Sequence, residues 1–384
     1  MRTRINKVGL LAVGLLVGVW AACSSSDSSN GGGGSAAGTT HQGGQGAQGN
    51  GGGDGGLNIG GMNQGGGISG CDPQTFTLLQ APPALVYLVI DRSGSMNEPG
   101  SNPSLSKWQE LNQAVDLALS QYEGAVQFGV LMYPTGQECA TSGPQVAPTL
   151  GNRLAILHAL GTAVPAGGTP TAAALNNASD SLGSINAPDS PKFLVLATDG
   201  GPNCNYGLSA NPTCTCTSAA ADACCTNAPS PCYFGQSCLD DQKTLAVIAG
   251  LHNQGIDTFV IGLQGSSEYE NLLNLMAQAG GRPKQGGATS YYPASNPVDL
   301  QAALQTIAVS VISCQIDLGQ APDYPEGVLV YVDGNPVPRD TNKQNGWDYT
   351  DNTLTMIELY GTACDTLQDG TEHHVTATFQ CQVR

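Results

Sequence analysis

A doubly wound α/β fold with a mostly parallel sheet and a small C-terminal β module is predicted by three observations. Residues 85–90, 126–133, 192–198 and 256–263 are near-continuous apolar runs, rich in β-branched side chains and of strand length. Such runs suit strands buried on both faces, as in a parallel sheet. Between them lie stretches whose apolar residues recur at three- and four-residue steps, the spacing of helices. Strands alternating with helices make βαβ units, whose strands run parallel. Past residue 315 the texture changes to short, β-branched segments with turn residues between them.

The elements follow in order. The run 85–90 is the first strand. A helix is expected over 106–122, with Trp108, Leu111, Val115, Leu119 and Tyr122 on one stripe. The strand at 126–133 is closed by Pro134. Asn152 is placed to cap a helix through 163, and another helix follows Pro170, a residue suited to a first helical turn. After the strand at 192–198, a helix over 241–252 carries Leu245, Ile248, Ala249 and His252 on one stripe and stops before Gly255. The strand 256–263 and helices over 269–279 and 297–312 complete the α/β region. Beyond it, 327–332, 353–359 and 374–379 read as strands, with Asp333 and Gly334 forming a turn.

The first 70 residues read differently. Arg2, Arg4 and Lys7 precede an uncharged apolar stretch ending at Ala22, about 15 residues long and shorter than the ~20 that span a bilayer. Residues 1–22 therefore read as a signal peptide. Small residues before Cys23 resemble the bacterial lipobox, which implies acylation of Cys23. Ordinary cleavage that leaves Cys23 a free thiol is the alternative. Ser24, not Asp, follows, which in bacterial lipoproteins points to the outer membrane. The expectation is an exported lipoprotein at the outer membrane or cell surface of a Gram-negative bacterium. Residues 23–70 hold 20 of the 52 glycines, and Asp27 and Asp54 are their only charges. That composition cannot bury enough apolar surface to offset ordering entropy, so it reads as a flexible tether spanning roughly 40 Å.

Charge excludes one class of partner. With 30 acidic and 13 basic residues the chain carries a formal −17, a poor match to phosphate backbones, so no nucleic-acid partner is expected. The 13 cysteines point to an oxidising compartment, and setting Cys23 aside leaves an even number. The five histidines, His41, His158, His252, His373 and His374, fall in the tether, on helices or in the tail. No nucleophile–base arrangement accompanies them, and 93–95 lacks the nucleophile-elbow pattern. The chain is not read as an enzyme.

In open parallel sheets ligands bind at the carboxyl ends of strands. After the first strand stand Asp91, Ser93, Gly94 and Ser95. Before the helix that follows Pro170 stand Gly167, Gly168 and Thr169, with Thr171 just beyond. After the strand at 192–198 stand Asp199, Gly200 and Gly201. These loops supply two carboxylates and three hydroxyls, hard oxygen donors of the kind Mg²⁺ or Mn²⁺ selects. Ser93 and Ser95 straddle Gly94, which is expected to let the backbone bend closely. The competing reading is that Ser93 and Thr169 only cap helices.

The ordered set Asp-x-Ser-x-Ser, Gly-Gly-Thr and Thr-Asp-Gly resembles the von Willebrand factor type A domain, a Rossmann-like fold, and its metal-ion-dependent adhesion site. The resemblance covers about 71–314. It implies that Ser93 and Ser95 ligate the metal directly and that Thr169 does so in the ligand-bound arrangement, with Thr171 as a substitute. Asp91 and Asp199 would act mainly through water. The implied cation is Mg²⁺, with Mn²⁺ or Ca²⁺ as alternatives. The implied partner is a protein that offers an Asp or Glu to the ion, and the membrane is engaged only through the lipid anchor. The other reading is a structural envelope lipoprotein whose site binds no ligand.

The connection 203–239 is rich in cysteine, with Cys204, Cys214, Cys216, Cys224, Cys225, Cys232 and Cys238. It lacks apolar content and has no Cys-x-x-Cys pair, so disulfides rather than zinc are expected to hold it. Seven is odd, so one must pair outside. Cys139 follows a strand that ends on the same face, which makes a Cys139 link to this insertion, with Cys204 as the candidate partner, the working hypothesis. Because the insertion follows Asp199, it is the candidate for partner specificity, with a purely structural cover as the alternative. Type A domains bring their ends together, which implies a Cys71–Cys314 bridge and leaves Cys364 and Cys381 as a second pair. The module 315–384 carries no motif tied to chemistry.

Overall fold

The computed structural model describes residues 74–136, 138–208, 215–217 and 237–380. The signal peptide, Cys23, the tether, Cys71, Cys381 and most of the cysteine-rich insertion lie outside the described residues. Among the described residues, no helix is long and apolar enough to cross a membrane.

Six strands form the central sheet: β3 (Leu85–Asp91), β4 (Gln127–Tyr133), β5 (Val146–Thr149), β6 (Lys192–Thr198), β7 (Ile256–Leu263) and β8 (Tyr292–Ala294). Their order is β5-β4-β3-β6-β7-β8, parallel throughout except for the antiparallel β4–β5 pair. All seven residues of β3 are buried, because helices cover both faces. Val86, Leu88 and Ile90 enter one core with α1 (Lys107–Tyr122), α2 (Arg153–Thr162) and α6 (Pro297–Val311). Leu85, Tyr87 and Val89 enter the other with α3 (Thr171–Ser184), α4 (Asp241–Asn253) and α5 (Glu270–Ala279). The two-residue repeat of a strand thus divides one apolar run between two layers. The expected doubly wound fold is what the chain adopts.

Local chemistry sets the helix starts. At α1 the Ser106 hydroxyl accepts from the Gln109 N–H while the Gln109 side chain accepts from the Ser106 N–H, a reciprocal capping box. At α6 Asn296 accepts from the N–H groups of Val298 and Asp299. Asn152 does not cap α2. Its amide instead donates to the carbonyls of Phe128 and Ala147, tying the helix start to β4 and β5.

The C-terminal module corrects the expected boundaries. Two four-stranded antiparallel sheets, β1-β14-β10-β11 and β12-β13-β9-β2, are built from β9 (Gln315–Asp317), β10 (Val328–Val332), β11 (Asn335–Val337), β12 (Gly346–Tyr349), β13 (Met356–Tyr360) and β14 (Val375–Phe379), joined by β1 (Gln74–Thr77) and β2 (Leu79–Gln80). β1 pairs with β14, and β2 with β9. The segment before β3 therefore belongs to the β module, not to the α/β layers as the division at 314 assumed. A third core, centred on Ile316, Val330, Trp347, Ile357 and Ala377, lies between these sheets. Asp333 and Gly334 make the expected turn between β10 and β11, both with positive φ.

Pairing also corrects the disulfides. Cys314 bonds to Cys364, not to Cys71, and Cys364 is therefore not bonded to Cys381. The cause is register. β9 begins beside Cys314 and pairs with β13, and the Leu359 N–H donates to the Cys314 carbonyl. The chain then turns at Gly361 into α7 (Thr362–Leu367), which carries Cys364 over that strand end.

Candidate metal centre

β3 is where the sheet order reverses. β4 lies on one side of it and β6 on the other, so the loops after β3 and β6 face one crevice at their carboxyl ends. Asp91 ends β3 and is fully buried. Its Oδ1 accepts from the Ser93 N–H at 2.8 Å, and its Oδ2 accepts from the Thr198 hydroxyl at 2.7 Å. The hydroxyls of Ser93 and Ser95 lie 3.0 Å apart. Ser95 Oγ donates to Asp199 Oδ1 at 2.9 Å. Asp91, Ser93, Ser95 and Asp199 thus meet in one hydrogen-bonded cluster drawn from two strand ends.

Thr169 stands on the third loop. Gly94 N–H donates to the Gly167 carbonyl at 3.0 Å, which sets this loop beside the Ser93–Ser95 turn. The Asn97 amide donates to Pro165 O at 2.7 Å, and Arg92 reaches the carbonyls of Val164 and Pro134. Thr171 is separated from Thr169 by its surroundings: its hydroxyl faces Tyr133 OH and the Thr169 carbonyl inside the core.

The glycines have different roles from the one expected. A Cβ on Gly94 would meet only Gly167 O at 3.6 Å, an ordinary contact, so close bending does not require glycine there. Gly167 and Gly168 are the demanding positions. Gly167 has φ +88, and a Cβ on it would stand 2.4 Å from Glu138 O. On Gly168 a Cβ would meet Asn203 Oδ1 and Cys204 Sγ, both at 2.8 Å.

Asn203, Tyr133 and Lys107, which the sequence argument did not name as site residues, also build the site. Asn203 accepts from the Thr169 N–H at 2.6 Å, while the Asn203 N–H donates back to Thr169 O at 2.9 Å. Cys139 and Cys204 form the disulfide expected from the sequence, with Cα atoms 5.6 Å apart, and it joins the loop after β4 to the loop after β6. Cys216 and Cys238 are also disulfide-bonded. Tyr133 ends β4 opposite Asp91, and burial, then the Asp91 charge, push its phenol well above its ordinary pKa. Lys107, the first residue of α1, sends its ammonium to Asp199 Oδ2 and to Glu98 Oε2, each at 2.9 Å. Burial acts to lower the ammonium's pKa, but the bonds to Glu98 and Asp199 outweigh it and hold the pKa above the ordinary value. Asn203, Tyr133 and Lys107 carry no local sequence signal for these roles.

The electrostatics favour a cation. Burial, then the Asp199 charge, push Asp91 up to about 7, against the pull of its bonds from Thr198 and Ser93. Two buried carboxylates that repel each other gain from a positive charge between them. Among the described residues no three His, Cys, Asp or Glu side chains gather as a metal site. The donors are hydroxyl and carboxylate oxygens, which fit a hard divalent ion. Ser93, Ser95 and Thr169 would hold it, with Asp91 and Asp199 behind them.

Residues 86–202 match the sequence profile of the von Willebrand factor type A domain. The architecture is the α/β fold of that domain, with a mostly parallel central sheet and added β-sheets. No curated protein matches the chain in sequence. Among solved structures, the pilus adhesin SpaC from Lactobacillus rhamnosus GG is similar at 16% identity and a TM-score of 0.43, over 79% of this chain and 40% of that one. This chain therefore spans less than half the length of that adhesin. Manganese-loaded Plasmodium vivax TRAP protein is similar at 16% identity and a TM-score of 0.41, over 75% of this chain and 97% of that one. The vWF domain of the type V pili tip protein Mfa5 from Porphyromonas gingivalis gives 14% identity and a TM-score of 0.42, over 61% and 96%.

Proposed function

We propose that this chain is an exported, envelope-anchored binding protein that uses a divalent cation to grip a carboxylate of a protein partner. The observation that carries the reading is the cluster of Ser93, Ser95 and Asp199 around Asp91, set beside the Thr169 loop at the sheet's switch point. An ion held by neutral hydroxyls, with its carboxylates one water away, keeps much of its charge. Bound there, the ion supplies an electrophilic position for an Asp or Glu. Mg²⁺ is the proposed ion, and Mn²⁺ or Ca²⁺ would satisfy the same donors. The protein provides the hydroxyls, orients them through Asp91 and Asp199, and clamps the Thr169 loop through Asn203. The Cys139–Cys204 bond and the other paired cysteines suit an oxidising compartment. Export through residues 1–22 and anchoring at an acylated Cys23 rest on the sequence pattern.

A second reading, a structural envelope lipoprotein whose site takes no ligand, is favoured by one observation: Lys107 already neutralises Asp199. Calorimetric titration of Mg²⁺ and Mn²⁺ separates the two. The binding reading expects saturable uptake that Asp91→Ala and Asp199→Ala abolish, and metal-dependent retention on a carboxylate-bearing matrix that chelator reverses. Equal uptake by wild type and Asp91→Ala, or none by either, would overturn it.

A further inference from the structure

We propose that Lys107 is a built-in counter-cation of the metal centre, one that weakens its hold on the divalent ion and strengthens the loaded site's hold on an anionic group. The inference rests on the binding reading above and adds a residue that the sequence pattern does not single out.

Lys107 is an unusual residue for its place. It opens α1, where the helix dipole disfavours a positive side chain. Its side chain is only 8% exposed, though lysine is among the residues least often buried. A residue that breaks two local rules is held by something non-local. Here that is Asp199, whose side chain is fully buried and whose Oδ2 accepts from Nζ at 2.9 Å. Glu98 also accepts from Nζ at 2.9 Å, but its side chain is 64% exposed, so solvent screens much of its charge.

The fold keeps a place for the ammonium. Gly265 has φ +104, and a Cβ built on it would stand 3.0 Å from Lys107 Nζ and 3.1 Å from Asp199 O. A larger residue there would crowd the ammonium against Asp199. Both oxygens of Asp199 are thereby committed, Oδ1 to Ser95 and Oδ2 to Lys107. Asp199 is kept from turning toward an ion as a direct ligand.

The charge count follows. Asp91 and Asp199 contribute two negative charges and Lys107 one positive. A divalent ion meets a net charge of one negative instead of two, and binds less tightly. Once loaded, the buried centre is left with one net positive charge instead of none, which favours an anion. The same ammonium therefore acts in opposite directions on the two binding steps.

The test uses Mn²⁺ alone, then acetate added to the Mn²⁺-loaded protein, on wild type, Lys107→Met and Lys107→Gln. Gln retains a donor for Asp199 and keeps the test available should Met fail to fold, with circular dichroism reporting folding. Both neutral variants should bind Mn²⁺ about tenfold or more tightly, the scale expected for removing one unit charge beside a site carboxylate. Their loaded forms should bind acetate more weakly than loaded wild type. Unchanged Mn²⁺ affinity in a folded neutral variant, or unchanged acetate affinity in its loaded form, would overturn it and leave the binding reading standing. No Mn²⁺ uptake by wild type would overturn the binding reading, and this inference with it.

Discussion

Replacing Asn203 by Ala should loosen the Thr169 loop and cost stability in a calculable way. The Asn203 side chain makes two bonds, accepting from the Thr169 N–H at 2.6 Å and donating to Thr217 Oγ1 at 2.9 Å. Thr169 is 5% exposed, so its N–H has little access to water once its acceptor is removed. An unsatisfied buried donor costs about 1–3 kcal/mol. The backbone bond from the Asn203 N–H to Thr169 O survives the substitution, which keeps the loop in place and the loss near ~2 kcal/mol rather than above it. Urea unfolding followed by circular dichroism measures this as a shift of the midpoint at constant slope. Asn203→Asp retains the acceptor and should recover most of the loss. The same variants titrated with Mn²⁺ should show Asn203→Ala weakened, because Thr169 is then tied to Asn203 by one bond instead of two. A loss under about 0.5 kcal/mol for Asn203→Ala, the range of inconsequential surface substitutions, would refute the clamp.

Gly168→Ala should destabilise by about 1–3 kcal/mol through overpacking, since its Cβ would meet Asn203 Oδ1 and Cys204 Sγ at 2.8 Å. Gly94→Ala, whose Cβ would meet only Gly167 O at 3.6 Å, should be near neutral, and equal melting losses for the two would contradict the packing argument. His373 should give the fold a pH dependence on the alkaline side. Burial lowers its pKa, but hydrogen bonds to Asp333 and Asp369 outweigh this and raise it above 6.5. The stabilisation is thus complete below that value and lost as pH rises through the folded pKa. Melting curves of wild type should fall across this range and those of His373→Gln should not, while parallel curves would exclude the linkage. Cys364→Ser should cost about 4 kcal/mol on chain-entropy grounds, because Cys314–Cys364 closes a loop of separation 50. Non-reducing peptide mapping that links Cys314 to any other cysteine would remove the basis for that figure.

How much was legible depended on whether the cause was local. β3, β4, β6 and β7 are buried on both faces, so burial itself wrote continuous apolar runs that length and β-branching identify as strands. Asp91 and Asp199 stand at the ends of such runs, and the rule that ligands bind at the carboxyl edge of a parallel sheet brings them together from sequence alone. Edge strands left no such mark. β5 and β8 are short and carry Pro148 and Pro293, residues tolerated only where a ladder bond is dispensable. β1 and β2 are defined by partners some 240 to 300 residues away, and no periodicity in four or two residues could announce that. Lys107 and Asn203 were invisible for the same reason. Each is an ordinary polar residue until the fold sets it against Asp199 or Thr169.

The position of the cysteine-rich connection gains meaning from those non-local bonds. It leaves the sheet directly after Asp199, and its first described residues do structural work at the site. Pro202 O accepts from the Asp240 N–H, Asn205 reaches the Asp240 carboxylate, and Asn203 reaches Thr217, whose N–H donates to Ser237 O. The two ends of the insertion are therefore sewn together at its base. The Cys139–Cys204 bond ties that base to the loop after β4, where Glu138 O accepts from the Gly168 N–H. The Thr169 loop is gripped from both sides, by residues that belong to the two neighbouring loops. A force that moves the base of the insertion must pull on Asn203 and so on Thr169. The base of the insertion thus holds the backbone of Thr169 through Asn203, and the loop beside it through the Cys139–Cys204 bond.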